Sequence, residues 1–289
     1  MTQLIHQLVQ WRTIQQQWQD SSQRIAFVPT MGNLHEGHFS LVKLAQQHAD
    51  KVVVSIFVNP LQFGPNEDFD CYPRTLDADV QALSQLGVDV VFAPNVDEVY
   101  PERGSGSEGF LVIPPPKLTD ILCGESRPGH FTGVATIVLK LFNMIQPQLA
   151  VFGEKDYQQL AIIKAMVRAL NLPIKIISAP TCRAADGLAL SSRNQYLSTL
   201  ERQQAPAIYQ TLQTIVFGLR EGQLSEVLIE QAQQQLIRLG FNGIDYIAIR
   251  HPKSLEKLVQ LGREGAVVLI AARLGNTRLI DNLFVSTRQ

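Results

Sequence analysis

Short apolar runs rich in β-branched residues recur along the first 180 positions, at Ile25–Val28, Val52–Phe57, Val88–Phe92, Leu149–Phe152 and Ile174–Ser178. Runs of this length, bounded by Gly, Pro or polar residues, predict strands buried on both faces, as in a parallel sheet. Between them the apolar positions fall at helical spacing. Leu4, Leu8, Val9 and Trp11 predict an amphipathic first helix that ends before Arg24. Leu41, Val42, Leu44 and Ala45 predict a helix face after the first strand, and Asp77–Leu86, Val134–Ile145 and Tyr157–Leu170 predict three more helices. A strand, a helix and a second strand make a βαβ unit, hence a parallel sheet with right-handed crossovers. After Pro180 the order changes. Two helices, Ala205–Arg220 and Ser225–Leu239, precede strand-like runs at Ile244–Ile249, Ala266–Ala272 and Arg278–Val285. The expected fold class is α/β, a Rossmann-like parallel sheet domain over residues 1–180, followed by a smaller α+β domain over 181–289.

Composition narrows the class. The chain has 289 residues, with 45% hydrophobic and 18% charged, a globular balance long enough for one large or two medium domains. A formal net charge of −1 argues against a strongly basic nucleic-acid surface. Three cysteines, Cys71, Cys123 and Cys182, are odd in number and far apart. They fit neither a disulfide framework nor a zinc ribbon, so a reducing, cytoplasmic setting is expected. Met1–Asp20 is rich in Gln without a sustained apolar core, and is not expected to be a signal peptide. No run approaches the roughly 18 apolar residues of a membrane span. Pro101–Gly109 is a Gly/Ser/Glu stretch expected to be a mobile loop, and Pro114–Pro116 stiffen the connection after it.

The densest chemistry follows the first strand, in Pro29-Thr-Met31-Gly32-Asn33-Leu34-His35-Glu36-Gly37-His38. Gly32 permits a turn that a Cβ would resist. His35 and His38 are three apart and share a face in a first helical turn. A helix N-terminus offers N–H groups and partial positive charge to a phosphate. A phosphate site, a surface turn, a capped helix and a metal site all remain open for this stretch alone. A metal needs three or four ligands, and the string is not His-Glu-x-x-His. Asn59 and Gln62, in a Pro-rich turn at the end of the second strand, offer amides, or else form an Asx-turn. Gly153-Glu154-Lys155-Asp156 is a second turn of phosphate type, with Gln159 shortly after it. Arg183–Asn194 reads either as a flexible linker or as a mobile clamp, with Ser191, Ser192 and Arg193 around a triphosphate.

The His-x-Gly-His string resembles the nucleotidyltransferase superfamily. Six blocks in order carry a closer likeness: Pro29–His38, Phe57–Phe63, Tyr72–Thr75, Arg127–Phe131, Phe152–Leu160 and Asp186–Asn194. Together they resemble the pantothenate synthetase (pantoate–β-alanine ligase) family over essentially the whole chain. The resemblance implies condensation of (R)-pantoate with β-alanine through a pantoyl-adenylate, with release of AMP and diphosphate. It implies ATP contacts from Met31, Gly32, Asn33, Leu34, His35, Glu36, Gly37 and His38, with His38 as a proton donor. Further ATP contacts are implied for Gly153, Glu154, Lys155, Asp156, Leu190, Ser191, Ser192 and Arg193. Cys182 stands where the family often has an apolar residue whose backbone holds adenine, and a backbone contact should survive the change. Gln62 and Gln159 match pantoate-binding glutamines, Gln62 also serving β-alanine, while Asn59, Tyr72, Arg127 and His130 match positions lining the same cavity. The catalytic set is then His35, His38, Lys155 and Arg193, with the second domain as a lid. Mg²⁺ with ATP, no tightly bound organic cofactor, and a homodimer are also implied.

The implied reaction suits these residue types. Attack of a carboxylate on the α-phosphorus builds charge on phosphoryl oxygens, so positioning and cationic stabilisation carry the catalysis. Other nucleotidyltransferases share the His-x-Gly-His turn without the paired glutamines. An aminoacyl-tRNA synthetase shares both loops but has a basic tRNA face. A nucleotide sensor would bind ATP without releasing diphosphate.

Overall fold

The computed structural model describes residues 1–65, 67–102 and 109–287. The chain divides into two compact units, the first made of Met1–Pro115, Arg127–Glu154 and Gln159–Pro180. Its sheet has strands β1 (Gln3–Ile5), β2 (Ile25–Thr30), β3 (Lys51–Ile56), β4 (Val90–Phe92), β5 (Leu149–Gly153) and β6 (Lys175–Ala179). They lie in the order β1-β4-β3-β2-β5-β6, and every pairing is parallel. β2 is central. Its alternation sends Ala26 and Val28 into a cluster with Val42 and Ala45 of the helix Glu36–Gln46 and Leu83 of the helix Leu76–Gln85. Phe27 faces the other way, and its ring meets Phe142 of the helix His130–Ile145 at 6.4 Å. Burying one such side chain contributes about 1.5–3 kcal/mol. Pro29 has no N–H to donate, yet it sits in this inner strand. Pairing with β5 involves only Ala26 and Phe27, so the β2–β5 ladder stops before the proline although β5 runs on to Gly153, and no ladder bond is asked of Pro29 on that side. The first helix, Leu8–Asp20, buries Trp11, whose Nε1–H donates to the Met144 carbonyl of the helix His130–Ile145 at 3.0 Å.

Two sequence expectations change here. Leu4 belongs to β1, which pairs with β4 from Gln3↔Val90, and the first helix starts only at Leu8. A three-residue strand is too short to show a period, and the Leu4–Leu8 spacing imitates a helix turn. The parallel sheet therefore has six strands rather than five. Of the Pro101–Gly109 stretch, residues 103–108 lie outside the described residues.

The second unit comprises Pro116–Ser126, Lys155–Gln158 and Thr181–Gln289. Its antiparallel sheet has the order β7 (Gly243–Arg250), β8 (Ala266–Leu274), β9 (Thr277–Val285). Gly275, with φ +56°, opens the two-residue turn between β8 and β9. Helices Ala207–Arg220 and Ser225–Arg238 bury Ile208, Leu212, Ile215, Leu228 and Leu236 against Val268, Ile270 and Ala272 of β8. A further helix, Thr199–Gln204, is capped by Ser198, and Glu201 completes the capping box. The Ser-x-x-Glu spacing that marks it is visible in the sequence.

Candidate active site

In the first unit the site grows from the carboxyl end of β2. Thr30 Oγ1 donates to the Ser55 carbonyl at 2.7 Å, and beyond it the backbone turns through Gly32 at φ +83° and Asn33 at φ +50°. A Cβ on Gly32 would come within 3.1 Å of Asp79 Oδ2 and Ile56 Cγ2. The turn is closed by Asp79, a carboxylate only 4% exposed. Its Oδ2 accepts from Asn33 N–H at 2.9 Å and its Oδ1 from Leu34 N–H at 2.8 Å. Sequence reasoning passed over Asp79. Its signal was an acid one turn before Leu83, on the buried face of the same helix.

His35 is the N-cap of the helix Glu36–Gln46, and the two histidines complete a capping box. His35 Nδ1 accepts from Gly37 N–H at 3.1 Å, and His38 Nδ1 accepts from His35 N–H at 3.3 Å. The rings lie 4.1 Å apart. With Nδ1 an acceptor in both, the neutral rings carry their protons on Nε2. The capped-helix reading and the phosphate reading are therefore compatible. Capping fixes the rings through their Nδ1 atoms.

At the end of β3 lies the turn Asn59–Gln62. Asn59 is 1% exposed, and its amide is committed to protein partners. Nδ2 donates to the Gly133 carbonyl at 3.1 Å and to Gln62 Oε1 at 3.3 Å, while Oδ1 accepts from Tyr100 O–H at 2.9 Å. Asn59 holds the turn rather than offering its amide outward. Gln62 also contacts Met31 Sδ at 2.8 Å through Nε2. Its carbonyl is held by His130 Nδ1 at 2.8 Å and by Arg127 Nη2 at 3.3 Å. Arg127 is paired with Glu67 at 2.5 Å and touches His130 Nε2 at 2.9 Å. Tyr72 is buried beside Phe63, ring to ring at 5.9 Å. Gln62, Met31, Asn59, Arg127 and His130 are thus brought together. Gln159 is half-buried near the start of the helix Tyr157–Ala169, at a distance in sequence from that group. Gly153 ends β5, and Glu154 opens the turn beyond it.

In the second unit Lys155 lies in a single 3₁₀ turn, Glu154–Asp156, with Nζ 3.9 Å from Asp156 Oδ1. The Arg183–Asn194 stretch is a built loop. An antiparallel bridge joins Arg183 to Ala189, and Leu190 N–H donates to the Cys182 carbonyl at 2.9 Å. Ser191 Oγ accepts from Arg193 N–H at 3.3 Å and caps the 3₁₀ turn Ser192–Tyr196. The flexible-linker reading is set aside by these bonds. Gln158, next to the expected Gln159, is a structural amide that sequence reasoning also missed. It accepts from Cys123 N–H at 3.0 Å and donates to the Leu118 and Ile121 carbonyls at 2.9 and 2.8 Å.

The model of the pantoate–β-alanine ligase family matches residues 3–284. The chain belongs to this family. A pantothenate synthetase of Pseudomonas putida is 59% identical over 263 residues, covering 91% of this chain and 90% of that one. The crystal structure of pantothenate synthetase from Thermus thermophilus superposes with a TM-score of 0.91 at 42% identity, covering 98% of this chain and 99% of that one. The pantoate–β-alanine ligase of Francisella tularensis, solved in complex with β-γ ATP and β-alanine, gives a TM-score of 0.82 at 36% identity over 98% of each chain.

Proposed function

We propose that the chain condenses pantoate with β-alanine using ATP. A pantoyl-adenylate forms first with loss of diphosphate, and β-alanine then displaces AMP. The observation that carries this is the family match over residues 3–284, joined to the Francisella relative's ATP and β-alanine complex. In this reading the pantoate carboxylate attacks the α-phosphorus. The Nε2–H groups of His35 and His38, the Lys155 ammonium and the Arg193 guanidinium meet phosphoryl charge as it develops. Gln62 and Gln159 hold the acid, and Asn59, Arg127 and His130 hold Gln62. Leaving one buried polar partner unmatched costs about 1–3 kcal/mol, which is how such amides select a hydroxy acid. Among the described residues no group of three or more His, Cys, Asp or Glu side chains could hold a metal. Mg²⁺ brought in with the triphosphate would neutralise charge on its phosphoryl oxygens. A homodimer in the cytoplasm completes the proposal; no described helix is long and apolar enough to cross a membrane.

The test is diphosphate release. With ATP, Mg²⁺ and pantoate but no β-alanine, about one diphosphate per active site is expected, followed by a stall. Adding β-alanine should restart turnover. Release that strictly requires β-alanine rules out the two-step order, and release without pantoate rules out the acid substrate.

A further inference from the structure

Strand β9 carries two adjacent buried polar residues, Asp281 at 4% and Asn282 at 7% exposure. Polar side chains this deeply buried are rarely left without hydrogen-bond partners. Each here has a separate client. Asp281 grips the Arg183 guanidinium bidentately, at 2.5 and 2.9 Å. Arg183 also donates to the Gly187 carbonyl at 3.1 Å and to the Asn282 carbonyl at 3.2 Å. Its guanidinium lies over Tyr209, 3.9 Å from the ring centre. The root of the loop that ends in Ser191–Arg193 is thereby fixed to β9. Asn282 serves the other client: its Nδ2 donates to the backbone carbonyl of Lys155 at 2.9 Å. The Asn282 N–H meanwhile donates to Asp281 Oδ1 at 2.7 Å, so the two residues are locked to each other.

A lysine is a point charge on a flexible stem, and its aim depends on where its backbone is anchored. Lys155 sits in a one-turn 3₁₀ segment with Asp156 close to its ammonium. Such a turn has few bonds of its own. The anchor comes instead from a residue 127 positions later in the chain.

We infer that Asn282 is a positioning residue for the reaction, holding the Lys155 backbone so that its ammonium meets the phosphates. The inference rests on the catalytic reading of Lys155 given above. Asn282 touches the lysine's main chain, so its loss should lower the rate without disturbing acid binding. A small misplacement of a catalytic group is costly, up to about 10²-fold per ångström.

A double-mutant cycle tests this, read by single-turnover adenylation with ATP, Mg²⁺ and pantoate. Asn282→Ala is expected to slow adenylation about tenfold with the pantoate dissociation constant unchanged, and Asn282→Ser, which keeps a donor, to recover part of the rate. In a Lys155→Ala background, Asn282→Ala should cost less than about twofold, since nothing remains to be positioned. If Asn282→Ala does not fold, as judged by circular dichroism, the same cycle run with Asn282→Ser decides. Equal losses in both backgrounds overturn the inference and make Asn282 a structural residue. A native rate for Asn282→Ala beside a crippled Lys155→Ala overturns it too. A native rate for Lys155→Ala is a different failure, because it removes the catalytic reading on which the inference stands.

Discussion

Asp79 shows how one buried side chain can hold a whole turn of the candidate site. Two backbone N–H groups of the Gly32–Leu34 turn end on one buried carboxylate. Asp79→Asn keeps the shape but turns one acceptor into a donor facing an N–H. We expect it to lower stability by about 1–3 kcal/mol and to weaken ATP binding more than pantoate binding. Thermal melts and calorimetry with each ligand check this, and equal losses for both ligands would assign Asp79 to the general core. That His35 and His38 share a first helical turn was legible from their three-residue spacing. Asp79, Gln158 and Asn282 were not, because their partners lie 45, 35 and 127 positions away. A sequence shows an amide or an acid, but the carbonyl or N–H it serves is chosen by the fold.

At the scale of elements, the turn Asn59–Gln62 and the helix His130–Ile145 behave as one piece. A Cβ on Gly133 would overlap the Leu61 carbonyl, so the helix backbone lies directly against the turn. Gly133→Ala must push the turn away, and Gln62 moves with it. The expected result is a loss of pantoate affinity of about tenfold or more with ATP affinity retained, the cost of a group shifted out of hydrogen-bond reach; calorimetry decides it. The same turn has an acid sensitivity. Burial pushes the Glu67 carboxyl up, but the bonds and charge of Arg127 outweigh it, so Glu67 titrates below the ordinary 4.5. A carboxyl depressed in the folded state stabilises above its unfolded value, and that contribution is lost as pH falls through the folded one. Melts from pH 7 to pH 3 should therefore fall more steeply below about pH 4.5 for the native chain than for Glu67→Gln. Parallel slopes would show that the pair adds nothing. The parallel strands were legible here because both their faces are buried. β1 was not, since its three residues pair with β4 through contacts no local pattern announces.

At the scale of the molecule, the change of character after Pro180 was readable as a shift from strand–helix alternation to helices followed by strands. The two excursions, Pro116–Ser126 and Lys155–Gln158, were not readable as parts of the second unit. They join it through long-range bonds, such as Asn282 Nδ2 to the Lys155 carbonyl, Tyr157 O–H to the Pro252 carbonyl and Arg278 Nη2 to Ser126 Oγ. The burial of Trp11 in the first helix has a practical consequence. The chain has two tryptophans, Trp11 and Trp18, and their rings meet edge to face at 5.5 Å within that one helix of the first unit. Tryptophan emission therefore reports the first unit alone, whatever happens around Lys155, Arg183 and β9. Far-ultraviolet circular dichroism sees both units. A denaturation followed by emission and by dichroism in the same tube thus reads one unit against the whole. Coincident curves mean that the two unfold together. Separated curves give the stability of the β9 side, which emission cannot see.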